Sequence, residues 1–461
     1  MQLYDYQKTG IENIRNAYKK GKKSPLYVLP TGGGKTFTFS YIAKNAANKG
    51  KTVLILVHRV ELLRQTSKSL KKIGSKHGLI NPKFTPDKTA NIQIASVQTL
   101  VNRLDKITPP DLIIIDECHH SLAGSYKKVI DFFENAKILG VTATPCRGDG
   151  RGLGTIAGGV FDCLIEGPQI YELIDRGFLT PAKVYAPKSN IDLSGVRKSM
   201  GDYNKKDLND VMDKPTITGD AVKHYQKHCS GVPAVAFCVS VKHAEHVAQQ
   251  FRHAGYRAYS VDGNLDDDER NKRLDGLGNG SIDIITSCDL ISEGTDIPSI
   301  GCAILLRPTE SLGLYIQQGG RALRISKNKK FSIILDHVGN TLKHGMLDDH
   351  REWSLEGRKR KNGKKKEEEE SDINVRQCME CYAVFKPAPI CPECGTKVKI
   401  QERTPEEVDG ELEEIKREQV RKEKRKEEGV AGSFNDLARI AKERNYKPRW
   451  AYNRWLFKKI Y

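Results

Sequence analysis

The 461-residue sequence has no apolar run approaching the roughly 20 residues needed to cross a bilayer, and its N-terminus lacks the pattern of a signal peptide. These absences argue against a helical membrane protein or an exported precursor and lead us to expect a soluble, cytoplasmic chain. Acidic residues are in deficit, 58 Asp and Glu against 76 Lys and Arg. The net charge of +18 favours a polyanionic partner and says nothing about the fold. A disulfide framework is lacking too: Cys118, Cys146, Cys163, Cys229, Cys238, Cys288 and Cys302 stand scattered in apolar or strand-like surroundings, as reduced core thiols do. The length leaves room for two or three domains, each with its own core.

What is present begins with Pro30-Thr31-Gly32-Gly33-Gly34-Lys35-Thr36, between an apolar run (26–29) and an amphipathic helical pattern (37–48). The glycines let the backbone turn tightly enough for its N–H groups to surround phosphates. Lys35 can reach the β and γ phosphates, and the Thr36 hydroxyl can take a place on Mg²⁺. The first glycine of the full phosphate-loop pattern is absent, with Leu29 in its place, so the reading rests on the Gly-Lys-Thr end and its strand-loop-helix setting.

Apolar runs at 53–57, 92–95, 112–115 and 138–141 read as buried strands alternating with helices. Each ends in a polar cluster: His58 to Gln65, Ser96 to Thr99, Asp116 to His119, and Thr142 to Pro145. Open α/β sheets bind ligands at such strand ends. Asp116 can hold Mg²⁺ through its water and Glu117 can orient and deprotonate the attacking water. The plainer reading is a helix cap followed by a first-turn acid. Gln7, in a helical segment over 3–18, can both donate to and accept from an adenine edge.

A second α/β unit follows Pro181, with residues 188–213 as a polar insertion or linker and strands at 234–239, 256–261, 282–286, 302–306 and 331–335. It has no phosphate loop. It does carry Glu293-Gly294-Thr295-Asp296 and the run from Gln317 to Arg324, in which Arg321 and Arg324 share a helix face. Against a bound nucleotide such arginines stabilise charge at the γ-phosphate; alone they are a solvated basic face.

In the tail, residues 355–372 read as a solvated linker, basic then acidic, with non-specific phosphate contact as the alternative. Cys378-x-x-Cys381 and Cys391-x-x-Cys394 supply four thiolates at the spacing of a structural Zn²⁺ site. Residues 406–428 suggest a solvated charged helix. Residues 433–461 hold eight basic residues, two acidic ones and seven aromatics (Phe434, Tyr446, Trp450, Tyr452, Trp455, Phe457, Tyr461), with Ser433 capping one helix and Pro448 starting another. The rings can stack on bases of single-stranded or junction DNA, or Trp450 and Trp455 can be the core of a small helical pair.

Taken in order, these motifs resemble those of the superfamily 2 DEAD/DEAH-box helicases over about residues 1–345. The Asp-Glu-Cys-His form, Gln-x-x-Gly-Arg-x-x-Arg and the zinc tail are similar to the DNA-repair helicase RadD and to phage replication and recombination helicases. The resemblance implies an α/β chain of two tandem RecA-like domains with parallel sheets (1–180 and 181–345), to which the tail residues add a charged linker (346–375), a zinc ribbon (376–400) and a helical C-terminal region (401–461). It implies ATP between the domains, held with Mg²⁺ by Thr31 to Thr36 and Asp116. Glu117 would act on the water, Gln7 on adenine, Gly294 and Asp296 on the ribose side, and Gln317, Arg321 and Arg324 on the γ-phosphate. His119, Thr142 and Thr144 would couple hydrolysis to movement, and Arg59, Ser96, Gln98, Thr99, Ser240 and Thr286 would touch a nucleic-acid backbone.

The expected activity is an ATP-dependent helicase or translocase, with single-stranded, forked or branched DNA favoured over RNA and no membrane partner. A single-strand-binding or recombination protein is a further partner the resemblance allows, and bacterial or phage-infected cytoplasm its setting. Double-strand translocation without unwinding, RNA unwinding and a non-catalytic DNA-binding scaffold remain alternatives. One departure stands out: Tyr4-Asp5-Tyr6-Gln7 replaces the Arg-Pro-Tyr-Gln of many relatives, which leaves a second adenine contact unassigned.

Overall fold

The computed structural model describes residues 2–84, 87, 89–121, 123–146, 150–186, 193, 195–199, 201–213, 215–288, 300–357, 375–397, 427, 431, 433–444, 451 and 455. The chain separates into two units, Met1–Val398 and Lys399–Tyr461. No helix among the described residues is long and apolar enough to cross a membrane.

The first half of the large unit runs α1 (Asp5–Lys19), β1 (Pro25–Val28), α2 (Lys35–Ala47), β2 (Val53–Val57), α3 (Val60–Lys72), β3 (Gly78–Ile80), β4 (Ile92–Ser96), α4 (Val97–Leu100), β5 (Leu112–Asp116), α5 (Gly124–Phe132), β6 (Lys137–Thr142), β7 (Cys163–Glu166) and α6 (Ile170–Asp175). Its seven strands are all parallel, in the order β3-β4-β2-β5-β6-β1-β7. Every residue of β1, β2 and β5 is buried. That is why these strands are near-continuous apolar runs: crossover helices cover a parallel sheet on both faces. The order places β6 between β5 and β1, which brings the ends of these three strands side by side.

The second half comprises β8 (Ala182–Tyr185), β9 (Lys198–Ser199), β10 (Asp202–Tyr203), α7 (Lys205–Met212), α8 (Pro215–Cys229), β11 (Ala234–Phe237), α9 (Val241–His253), β12 (Ala258–Val261), α10 (Asp267–Asn279), β13 (Ile284–Ser287), β14 (Cys302–Leu305), α11 (Leu312–Ala322), β15 (Ser332–Asp336) and α12 (Asn340–His344). Strands β12-β13-β11-β14-β15-β8 form a parallel sheet, and β17 (Ala383–Phe385) and β16 (Arg376–Gln377) extend it antiparallel beyond β8.

Within the segment expected as insertion or linker, the described residues fold into the β9–β10 hairpin and α7. Val196, Leu208 and Met212 are buried against Val239. Asp202 accepts the Thr309 hydroxyl at 2.9 Å and the Glu310 N–H at 2.8 Å, tying the hairpin to the start of α11. The polar composition concealed a short amphipathic helix.

After α12 the chain crosses back onto the first half as a strap. The Arg351 N–H donates to Gln169 Oε1 at 2.9 Å, the Gly154 N–H donates to the Leu355 carbonyl at 2.9 Å, and Trp353 and Leu355 pack against the first core. This strap lies within 346–375, the stretch expected as a charged linker.

In the small unit, α13 (Phe434–Glu443) is capped by Ser433, whose hydroxyl accepts the Asp436 N–H at 3.1 Å. Leu437 and Ala441 are buried with Ala451, Trp455 packs on them, and the Phe434 and Trp455 rings meet edge-on at 5.9 Å. Trp455 thus follows the core reading. Tyr446, Pro448, Trp450, Tyr452, Phe457 and Tyr461 lie outside the described residues, as do 358–374 and, apart from Glu427, the charged run 406–428.

Candidate active site and metal centre

The phosphate loop turns between β1 and α2, and α2 begins at Lys35, so its free N–H groups face the loop as an anion site. Gly34 has φ +82, a left-handed conformation that side-chain-bearing residues rarely adopt, and a Cβ there would lie 2.4 Å from Gln7 Nε2. Asp116 ends β5 and Glu117 follows it at φ 47. A non-glycine residue in that region carries backbone strain of the kind held at active sites.

Burial lowers the pKa of the Lys35 ammonium; Glu117 and Asp116 counter this, and Arg321 and Arg324 add to it. Burial and then Glu117 raise that of the Asp116 carboxyl. Lys35, Thr36, Asp116 and Glu117 line one side of a cleft of about 910 Å³, and Arg321 and Arg324 line it from the second half. Helix α11 approaches the loop closely. A Cβ on Gly320 would stand 3.1 Å from Thr31 Cβ. Gln317 is buried in α11 and does not line the cleft.

The three residues expected to couple hydrolysis to movement form one network. The Thr142 hydroxyl lies 3.2 Å from His119 Nδ1 and 3.4 Å from Glu117 Oε2, and accepts the Thr144 N–H at 3.2 Å. A Cβ on Gly313 of α11 would come within 3.0 Å of Thr144 Oγ1, so the network reaches the second half.

The residues expected on a nucleic-acid backbone divide. At the adjacent ends of β2 and β4, Ser96 donates to Gln98 Oε1 at 2.9 Å and Gln98 Nε2 donates to the His58 carbonyl at 3.2 Å, which gathers Ser96, Gln98, Thr99 and the α3 cap Arg59. The Ser240 hydroxyl caps α9, accepting the His243 N–H at 3.0 Å. Thr286 is 0% exposed and donates to the Ala244 carbonyl at 2.7 Å. Its hydroxyl is thus turned inward, holding α9 on β13. A threonine at a strand end looks alike in sequence whether it faces out or in. Gly294 and Asp296 lie outside the described residues.

Sequence reasoning missed two features. Tyr4, Tyr6 and Phe178 line the cleft beside the loop, and charged side chains bridge it: Arg270 to Glu61 at 2.6 Å, and Arg64 and Lys83 to Asp267 at 2.8 and 3.0 Å. Both join residues from distant parts of the chain, and no local spacing signals them.

The four cysteines of the tail come together, their sulfurs all within 4.8 Å of one another, with Cys378–Cys394 at 3.6 Å and Cys381–Cys391 at 3.7 Å. A tetrahedron with Zn–S bonds of about 2.3 Å has edges of about 3.8 Å, so the donor set fits zinc. The β16–β17 hairpin docks the cluster on β8, pairing Ala383 with Tyr185 and Val384 with Val184, and Glu393 meets Lys183 at 2.7 Å. The other seven cysteines form no disulfide, and four are buried and three half-buried.

The family description "Type III restriction enzyme, res subunit" fits residues 1–147, and "Helicase conserved C-terminal domain" fits residues 219–326. A 51.5 kDa protein of a Lactococcus phage (isolate 7-9) is 36% identical over 397 residues, which are 85% of this chain and 82% of that one. The Saccharomyces cerevisiae protein IRC3, named as an ATP-dependent helicase, is 33% identical over 359 residues, 73% of this chain and 51% of its own length, so the chain spans about half of that relative. Among solved structures, a fragment ascribed to an HsdR subunit of a type I restriction enzyme from Vibrio vulnificus YJ016 matches with TM-score 0.57 at 24% identity, over 74% of this chain and 65% of that one, a likeness of fold. The two RecA-like halves, the facing phosphate loop and arginine helix, and these relatives agree with the motif series: the chain belongs to the superfamily 2 helicases, ATP-using enzymes that act on nucleic acid.

Proposed function

We propose that the protein is a DNA-dependent motor that hydrolyses ATP in the cleft between its two halves and uses the resulting domain movement to unwind or remodel DNA in replication, recombination or repair. The observation that carries this reading is the cleft itself, where Lys35, Thr36, Asp116 and Glu117 face Arg321 and Arg324. Lys35 binds the terminal phosphates, Glu117 orients and deprotonates the attacking water, and the two arginines offset charge on the γ-phosphate. The adjoining Thr36 hydroxyl and Asp116 carboxylate are hard oxygen donors suited to Mg²⁺ and would hold it. When bound, the ion neutralises phosphate charge.

Through Thr142 the hydrolytic Glu117 is linked to His119 and Thr144, a route from the water to the second half. The Arg59, Ser96, Gln98 and Thr99 cluster supplies backbone contacts. DNA is favoured over RNA because the first-half family description and the solved HsdR relative are both named for restriction enzymes. The cysteine cluster would hold a structural Zn²⁺, since four thiolates leave no open position.

The test is steady-state ATP hydrolysis without nucleic acid and with single-stranded, duplex or branched DNA or RNA, with Glu117→Gln as control. Strong stimulation by one DNA form, lost in the variant, is the expected result. Stimulation by RNA alone, or no hydrolysis at all, would overturn the reading.

A further inference from the structure

A short basic run, Lys327-Asn328-Lys329-Lys330, joins α11 to β15. The Lys329 N–H closes the turn by donating to the Ser326 carbonyl at 3.2 Å, and Asn328 takes a left-handed conformation (φ 66), which asparagine tolerates better than most residues. Lys327 and Lys330 are exposed, as lysines on a turn usually are. Lys329 is turned the other way. Its ammonium donates to the carbonyls of Ala322, of Arg324 at 2.6 Å and of Ile300 at 2.8 Å. An ammonium has three N–H donors, so its whole donor set is taken up by backbone.

The three acceptors lie in three places: the last residue of α11, the residue two beyond it, and the segment that enters β14. Carbonyls at a helix C-terminus lack intrahelical partners and carry the negative end of the helix dipole, which suits a cation. Burial and the neighbouring Arg324 charge push the Lys329 ammonium down to about 8, so it is still charged at neutral pH. Holding a cation there, against burial and beside a second cation, depends on those three hydrogen bonds.

Arg324 lies past the end of α11, so helix geometry alone does not fix it. Its backbone pairs with Leu179 in an isolated antiparallel bridge, and its stem reaches the phosphate loop, where a Cβ on Gly32 would stand 3.4 Å from Arg324 Cγ. Thr180 donates its N–H and its hydroxyl to the Leu323 carbonyl, each at 2.8 Å, but its hydroxyl reaches the Arg324 carbonyl only at 3.5 Å. Leu179 and Thr180 belong to the connection between the halves, which shifts whenever the halves do. Lys329 and Ile300 belong to the second half alone. Lys329 therefore ties Arg324 to the body that carries it.

We propose that Lys329 is a positioning residue for the γ-phosphate arginines: by gathering the Ala322, Arg324 and Ile300 carbonyls it fixes Arg324, and the end of α11 that bears Arg321, in the setting hydrolysis requires. The inference rests on the reading of the cleft as the nucleotide site of a motor. Without the ammonium, the Arg324 and Ile300 carbonyls lose this donor and Arg324 is free to shift, while the phosphate loop that binds ATP keeps its own geometry.

The test is ATP hydrolysis by the full chain at pH 7 with its best nucleic-acid stimulator, comparing wild type, Lys329→Met, Arg324→Ala and the double variant, the slow ones under single turnover. Lys329→Met should lower kcat by more than about tenfold, within the hundredfold that a misplacement of about 1 Å can cost, and leave KM for ATP within about twofold. In the Arg324→Ala background the same substitution should cost less than about twofold, because a residue that acts through Arg324 has nothing left to position. A Lys329→Met enzyme with wild-type kcat would overturn the proposal, and so would an equal loss in both backgrounds, the mark of a merely structural role. If Lys329→Met does not fold, Lys329→Gln, which keeps two donors, should show the same pattern with a smaller loss, and no loss in it overturns the proposal equally. If the wild type hydrolyses no ATP, the motor reading fails. Equilibrium binding then judges Lys329 by itself: a preference for a non-hydrolysable ATP analogue over ADP that shrinks in the variant supports it, and a preference that is absent or unchanged overturns it.

Discussion

In the proposed site the first half contributes loops at the ends of β1, β5 and β6, whereas the second contributes Arg321 on α11 and Arg324 just past its end. The loops are shaped by the backbone: a left-handed Gly34, a strained Glu117, and a threonine network that joins neighbouring strand ends. Helix α11 is shaped by packing, with most of its length buried, and it carries Arg321 on a rigid body, with Arg324 just beyond its end. A strand-end loop can hold a ligand in fixed geometry, while a helix on a separate sheet can approach or withdraw. Dividing the proposed site in this way would make hydrolysis sensitive to the relation between the halves.

The largest effects should come from removing chemistry on either side. Arg321→Ala should lower stimulated hydrolysis by about a thousandfold, the size of contribution that arginines of this kind make. Glu117→Gln should cost a similar factor by loss of the base while leaving ATP bound. An Arg321→Ala enzyme with ordinary turnover would break the comparison by confining catalysis to the first half.

A smaller effect concerns stability, where the halves differ at their edges. The second sheet continues through β8 into the cysteine hairpin, so metal chelation or Cys378→Ser should uncover β8. In calorimetry we expect the second-half transition to fall by about 5–10 °C, and the first to stay in place, if a few kcal/mol of folding energy is lost. Loss of zinc without any thermal shift would make the hairpin a passenger on the sheet.

The smallest effect belongs to the charges across the cleft. Arg64 and Lys83 hold the Asp267 carboxyl down at about 2, so its contribution is complete above the unfolded value of about 3.9 and is lost as pH falls through about 2. Asp267→Asn should loosen the nucleotide-free halves slightly in small-angle scattering at low salt, an effect that fades near 0.5 M salt, where the Debye length is about 4 Å. Variant and wild type should converge between about pH 4 and 2.

Much of this was legible in the sequence because the informative signals are local. The runs 53–57 and 112–115 are buried on both faces and so are apolar throughout, and Gly-Lys-Thr, Asp-Glu and the two Cys-x-x-Cys pairs are contiguous in chain and in space. What escaped has no local signature. Three residues at Gly78–Ile80 show no period, and half-exposed Cys163–Glu166 lacks an apolar run. Tyr4 and Phe178 meet only once the first half has folded, and Thr286 was assigned to a surface because nothing in a strand-end threonine tells which way its hydroxyl points.

The strap has a practical consequence for anyone dividing the gene. A fragment ending near residue 180 holds every strand of the first sheet, yet it lacks Trp353 and Leu355, which seal its core, and the Leu355 carbonyl that receives the Gly154 N–H. Expressed by itself, it should be poorly soluble and should be rescued by co-expression of the remainder, as complementing pieces are. The two halves are thus interlaced rather than strung end to end, and neither is a complete building block for recombination with foreign partners.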